Sequence, residues 1–204
     1  MDLRSYYNLI LEISKKINPC EYTITFDDGY KSVIPAIYSA SQLGFSTSLY
    51  VITDKIGKKG FVSKNDILDL HKNGTRIGSH THNHKNLSIL KTNDIKIELR
   101  VSRDILSEIL GTCVSDLSLP YGEYKSETLS QAMIFYKTIA FSKPFLSSSH
   151  ESYIRRLPIH KSNDTNINFI VSVLKDEIKP IFFTKILCTE IMKKSMPIGV
   201  YRNF

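Results

Sequence analysis

Short β-branched and aromatic runs alternate with stretches of helical period along this chain, and most of the runs end directly in a polar cluster. Residues 22–26, 47–52, 75–79, 114–119, 138–142 and 156–160 read as strands. Helices are predicted over 3–17, 31–43, 64–73, 93–110 and 126–136. Asn18-Pro19 ends the first helix, because proline disfavours helical geometry in the residue before it. Gly44, Asn73-Gly74 and Gly111 end the next three. Ser63, with Asp66 three residues on, forms a capping box. Thr92 is placed to cap the long helix, whose inner face would carry Ile95, Leu99, Ile105, Leu106 and Ile109. Strands separated by helices need crossover connections and therefore run parallel. A barrel and an open sheet both satisfy this order. In either, a ligand site forms where the C-terminal ends of the strands meet the loops.

A chain of 204 residues suits one α/β domain. An N-terminal helix over 1–20 precedes the alternating region, which with its tail spans 21–204. Residues 143–152 show no period, and the last 40 residues read as helix over 166–178 and 183–194. The net charge of +7 attracts anions, whether nucleic acid, an anionic membrane surface or a phosphate-bearing sugar carrier, although scattered lysines read first as a device for solubility. The lysines are scattered, and no stretch interleaves basic and aromatic residues, so nucleic acid is not expected. Cys20, Cys113 and Cys188 are far apart and odd in number, which argues against a disulfide framework and for a reducing compartment. No segment has the ~18 apolar residues of a membrane span. The first 20 residues, broken by Glu12, Lys15 and Lys16, are not a signal peptide, so a cytoplasmic location is expected.

Three clusters carry chemistry. Asp27-Asp28 follows the first strand. Two buried adjacent carboxylates repel each other, and a metal ion held by one leaves the other free as a base. His80 and His84, four apart after the third strand, face the same way if the chain coils there and can share one metal, with His82 pointing elsewhere. Pro120-Tyr121-Gly122 after the fourth strand is a fixed turn that can aim a backbone N–H into a cleft. Each cluster alone also reads as an ordinary turn or a solvated loop. Together they supply a carboxylate and two imidazoles for a metal, a second carboxylate beside them, and an oxyanion donor, which is the apparatus for hydrolysing an amide or ester.

Thr25-Phe-Asp-Asp-Gly29, Ser79-His-Thr-x-x-His84 and Pro120-Tyr-Gly122, in this order and spacing, resemble the polysaccharide deacetylase family (NodB homology, carbohydrate esterase family 4). Gly44-Phe-Ser-Thr-Ser-Leu-Tyr-Val51 and Ile77-Gly-Ser-His80 resemble that family's second and third strands, and the likeness runs over 22–160. It implies a distorted (β/α) barrel and metal-dependent removal of an N-acetyl group from an amino sugar of a polysaccharide or of a lipid- or nucleotide-linked glycan. By matched position Asp27 would be the base, Asp28, His80 and His84 the metal ligands, and Tyr121 the backbone oxyanion donor. Pro120, Tyr121 and Gly122 would line the substrate. Zinc is the default ion, and the ligand set also suits cobalt, nickel, manganese or iron.

Two positions depart from the family pattern. Ser118 stands where many members carry an arginine that pairs with the catalytic carboxylate, and Arg155 or Arg156 is a candidate to replace it. The late Leu-x-x-His motif is missing, with Ile181–Cys188 near its place, which leaves His150 and His160 as candidate general acids. A deacetylase or amidase acting on an O-acetyl or non-sugar substrate is the nearest alternative function. A glycan-binding relative without catalysis is the more distant one.

Overall fold

The computed structural model describes residues 3–141, 152–159, 167–175 and 198–202. The elements are α1 (Leu3–Ser14), β1 (Tyr22–Phe26), α2 (Ile34–Gln42), β2 (Ser46–Val51), α3 (Lys64–Lys72), β3 (Arg76–Ser79), α4 (Thr92–Leu110), β4 (Asp116–Ser118), α5 (Ser126–Phe135), β5 (Thr138–Phe141), β6 (Tyr153–Arg155), β7 (Leu157–Ile159), α6 (Ile167–Leu174) and β8 (Ile198–Arg202). They build one sheet in the order β6-β5-β4-β3-β2-β1-β8-β7. Strands β1 to β6 pair in parallel. Strand β8 pairs antiparallel with both β1 and β7.

The two edge strands, β6 and β7, are consecutive in the chain and separated only by Arg156. One residue spans at most about 3.6 Å. The sheet must therefore curl until its edges meet, and this gives the distorted barrel expected from the sequence. Arg156 sits at that seam.

Alternation along the strands divides the two faces of the curl. Ile24, Phe26, Leu49, Val51, Ile77, Leu117, Ile139 and Phe141 belong to the main apolar core together with Ile10, Ile37, Ile67 and Leu99 from the helices. Each such side chain contributes about 1.5–3 kcal/mol when fully buried. The intervening positions Thr25, Ser48, Tyr50, Gly78 and Ser118 face inward, with Thr25 opposite Ser48 and Tyr50 opposite Gly78. Helix α1 is part of the same core through Tyr6, Leu9, Ile10 and Ile13. Leu3 and Tyr7, which share the helical spacing, are exposed.

Several boundaries differ from the sequence reading. The helix expected over 31–43 begins as a 3₁₀ turn over 31–33, and the α-helix starts at Ile34. Pro35 has no N–H, so it fits only the first turn. The capping box at Ser63 and Asp66 is present. Thr92 is not a cap: it is the first helical residue of α4, and its hydroxyl donates to Glu127 on α5. Of its expected inner face Ile95, Leu99 and Leu106 are buried, and Glu98 and Ser102 are buried with them.

The single strand expected over 156–160 is two strands that break at Arg156. In the tail, read as helix, α6 forms but 198–202 is a strand. Five residues are too few for a period to separate the two states. The helix expected over 183–194, and His150, His160 and Cys188, lie outside the described residues. Cys20 and Cys113 are exposed. No helix among the described residues is long and apolar enough to cross a membrane.

Candidate active site

Four strand ends meet at one place. Asp27 and Asp28 follow β1, His80 follows β3, the turn at Pro120–Gly122 follows β4, and Arg156 follows β6. Strand alternation keeps Asp27 on the inner face with Thr25. Asp28 then enters the left-handed region at φ 70°, as do Thr81 at 64°, His84 at 57° and Tyr121 at 60°. These are the only non-glycine residues with positive φ among the described residues. Such backbone costs on the order of 1–3 kcal/mol per residue and persists where the surroundings impose it.

Asp28 Oδ1 lies 3.4 Å from His80 Nε2 and 3.3 Å from His84 Nε2. It is buried and makes no hydrogen bond. The His80 Nδ1 atom is 2.8 Å from the Ser118 carbonyl oxygen. That oxygen can only accept, so Nδ1 carries the proton and the Nε2 lone pair faces Asp28. Ligand atoms about 2.0–2.2 Å from a tetrahedral ion lie about 3.3–3.6 Å apart. The two observed separations fit that edge, and among the described residues these three side chains form the one group with metal-binding geometry. Burial lowers the His80 and His84 pKa values, against the opposing pull of the carboxylates, so both rings are held neutral. Burial also raises that of Asp28, and His80 only partly offsets it. His82 turns away, with Nδ1 2.9 Å from Thr53 Oγ1.

Asp27 is held apart from this trio. Arg156 donates to it from Nη1 to Oδ1 at 2.6 Å and from Nη2 to Oδ2 at 2.9 Å, and Ser118 Oγ donates to Oδ2 at 3.2 Å. The remaining donors of Arg156 reach Ser118 Oγ at 2.8 Å, Thr25 Oγ1 at 3.2 Å and the Phe141 carbonyl at 3.4 Å. Its guanidinium carbon lies 5.5 Å from the centre of the Tyr50 ring. Burial alone would raise the Asp27 pKa. The charge of Arg156, joined by that of His80 once acid protonates it, and the hydrogen bonds from Arg156 and Ser118 outweigh burial and hold it below the usual carboxylate value.

Ser118, at the place of the family's arginine, thus bridges the guanidinium and the carboxylate. The side chain of Arg155, the alternative partner, lies outside the described residues. Sequence reasoning passed over Thr25, Ser118 and Tyr50 as partners of this pair. Their positions on the inward parity of three strands were the available signal. On the rim, Pro120 and Gly122 are buried and Tyr121 is 61% exposed. The Tyr121 ring centre lies 4.9 Å from that of His84.

The chain has relatives among known proteins. YxkH of Bacillus subtilis is 28% identical over 126 residues, which are 61% of this chain and 45% of that protein. A chitin deacetylase of Arthroderma benhamiae is 31% identical over 124 residues, covering 57% of this chain and 33% of that one. This chain therefore spans less than half the length of either relative. The crystal structure of a polysaccharide deacetylase from Bacillus cereus superposes with a TM-score of 0.63 at 23% identity, over 72% of this chain and 49% of that one, a likeness of fold. Residues 15–134 match the profile of the polysaccharide deacetylase family. That match takes in more than half of the chain and both the Asp-Asp and the His-x-x-x-His segments, and the chain belongs to that family.

Proposed function

We propose that this chain is a metal-dependent hydrolase that removes the N-acetyl group from an amino sugar of a polysaccharide or of a lipid- or nucleotide-linked glycan. One observation carries the reading. An orphaned buried carboxylate oxygen faces two imidazole nitrogens at ligand spacing, beside a second carboxylate anchored separately by an arginine.

Asp28, His80 and His84 would hold one divalent ion, with zinc first and cobalt, nickel, manganese or iron as alternatives. Such an ion supplies Lewis acidity at the acetyl carbonyl and to a water molecule. Asp27 is the base, kept ionised by Arg156, and the hydrogen bond from Arg156 at Oδ1 leaves that oxygen room to accept a proton. The Tyr121 backbone N–H is the oxyanion donor, and Pro120, Tyr121 and Gly122 form the substrate wall. The positive net charge favours an anionic, phosphate-linked glycan.

The test combines elemental analysis of the purified protein with acetate release from N-acetylhexosamine oligomers and O-acetylated glycans. Wild type should bind one divalent ion per chain. His80→Ala and His84→Ala should lose it, and His82→Ala should keep it. Asp27→Asn should keep the ion and lose about 10²–10⁴ in rate. Asp28→Asn should lose affinity and regain activity with added metal. Full activity in Asp27→Asn removes the proposed base. Release from O-acetyl substrates alone selects the esterase alternative, and no release from any acetylated glycan leaves a binding protein.

A further inference from the structure

Helix α4 grips the loop that carries the two imidazoles, and it does so at both ends. Asn83 precedes His84, and the buried Glu98 carboxylate accepts from its backbone N–H at 2.7 Å and from its side-chain amide at 2.9 Å. Ser79 precedes His80, and its hydroxyl donates to Ser102 Oγ at 2.8 Å. Ser79 and Asn83 are four residues apart, and so are Glu98 and Ser102. On a helix that spacing puts Glu98 and Ser102 on one face, one turn apart. The two pairs therefore meet in antiparallel order, each one residue upstream of a histidine.

The loop they hold is not one the chain adopts unaided. Thr81 and His84 both have positive φ. Within it the Thr81 N–H donates to Ser79 Oγ at 3.1 Å and the His84 N–H to Thr81 Oγ1 at 3.1 Å. The far end of the clamp is fixed in turn. Ser102 donates to the Leu99 carbonyl at 3.0 Å, and so does the Tyr136 hydroxyl at 2.8 Å. Glu98 is only 2% exposed, and its further charged neighbour, Lys85, is 3.6 Å away. A buried carboxylate is costly unless donors satisfy it. Here the donors that satisfy it belong to the histidine loop.

We propose that Glu98 and Ser102 are positioning residues that set the His80 and His84 rings at ligand spacing, so that metal affinity depends on two side chains that never touch the ion. The inference rests on the metal reading of the Asp28, His80 and His84 group. Outer partners of this kind are worth about 10–100-fold in metal affinity.

The experiment is a zinc titration against a competing chelator, on metal-free wild type, Glu98→Ala, Glu98→Gln and Asn83→Ala, with the thermal midpoint of each metal-free protein measured alongside. Glu98→Ala should lose about 10–100-fold in zinc affinity. Glu98→Gln should stay near wild type, because the Asn83 amide can turn over and accept from the new glutamine while the glutamine oxygen keeps the Asn83 backbone N–H. Asn83→Ala alters an exposed side chain, so the fold is retained, and it should lose affinity by a smaller factor. If Glu98→Ala does not fold, Asn83→Ala decides alone. Wild-type zinc affinity in the Asn83 variant, or in a folded Glu98→Ala protein with only its midpoint lowered, overturns the proposal and leaves Glu98 a purely structural residue. Failure of wild type to bind zinc would instead remove the metal reading beneath it.

Discussion

Arg156→Ala tests the central electrostatic arrangement in metal-free protein. Asp27 is 4% exposed, and its charge is balanced by a two-pronged guanidinium that spends its other donors on Thr25, Ser118 and Phe141. Removing one partner of a buried pair leaves the other charge uncompensated, at a cost of about 3–5 kcal/mol. The cost should depend on pH with a definite sign. In wild type the folded-state pKa of Asp27 is depressed. That stability is present above the unfolded pKa of 3.8 and is lost as pH falls through the folded value. Without the arginine, burial is the largest remaining influence and raises the carboxyl instead, so the variant is weakest at neutral pH. Urea unfolding at pH 7 and near pH 3 should therefore show a large gap between the two proteins that narrows in acid. Arg156→Lys keeps a charge but loses the fork and should fall between them. A gap at pH 7 below about 1 kcal/mol, the range of an exposed pair, would refute the reasoning.

Two further outcomes follow from packing. A Cβ at Gly78 would lie 2.5 Å from the Tyr50 ring, so Gly78→Ala should destabilise by about 1–3 kcal/mol. It should also slow acetate release by shifting the ring that lies against Arg156; an unchanged rate would separate Tyr50 from the site. Burial pushes the Tyr136 hydroxyl up to about 12. Its stabilisation is therefore complete below pH 10 and lost as pH rises toward 12. Tyr136→Phe should flatten the alkaline limb of the stability profile measured by circular dichroism, and an identical limb would exclude Tyr136 as its source.

The parts of this fold legible in the sequence are those set by local chemistry. Strand runs with their polar ends, the Ser63 capping box and the glycine stops are each written within a few residues. The site was legible as far as it sits on consecutive positions after strands. Arg156 was legible only as one of two adjacent arginines. The choice between them depends on where the barrel edges meet, which is a property of eight strands together. Glu98 and Ser102 were passed over because polar residues on an amphipathic helix read as its solvent face. Here their face turns to the histidine loop, and only the third dimension shows it. The strand at 198–202 was hidden because its order comes from pairing with β1 and β7, which no short run encodes.

The contrast between the two adjacent carboxylates leads to a last prediction. Strand alternation sends Asp27 to the arginine, and a left-handed turn sends Asp28 to the histidines. Asp27 is then satisfied within the protein, and its pKa falls. Asp28 is buried without a hydrogen bond at Oδ1, and its pKa rises. A cation at the trio would compensate that cost, and binding it requires an ionised Asp28 and two neutral imidazoles. Burial lowers both histidines below their ordinary value of 6.5, so protons do not compete through them near neutrality. Zinc affinity should therefore change little as pH falls from 8 to 7, and should drop below pH 6.5 as the imidazoles and Asp28 take up protons. The measurement is a chelator-competition titration across this range on wild type and His82→Ala, which should give superimposable curves. A proton-linked loss of affinity already steep between pH 8 and 7, or one abolished in His82→Ala, would mean that groups other than His80, His84 and Asp28 hold the ion.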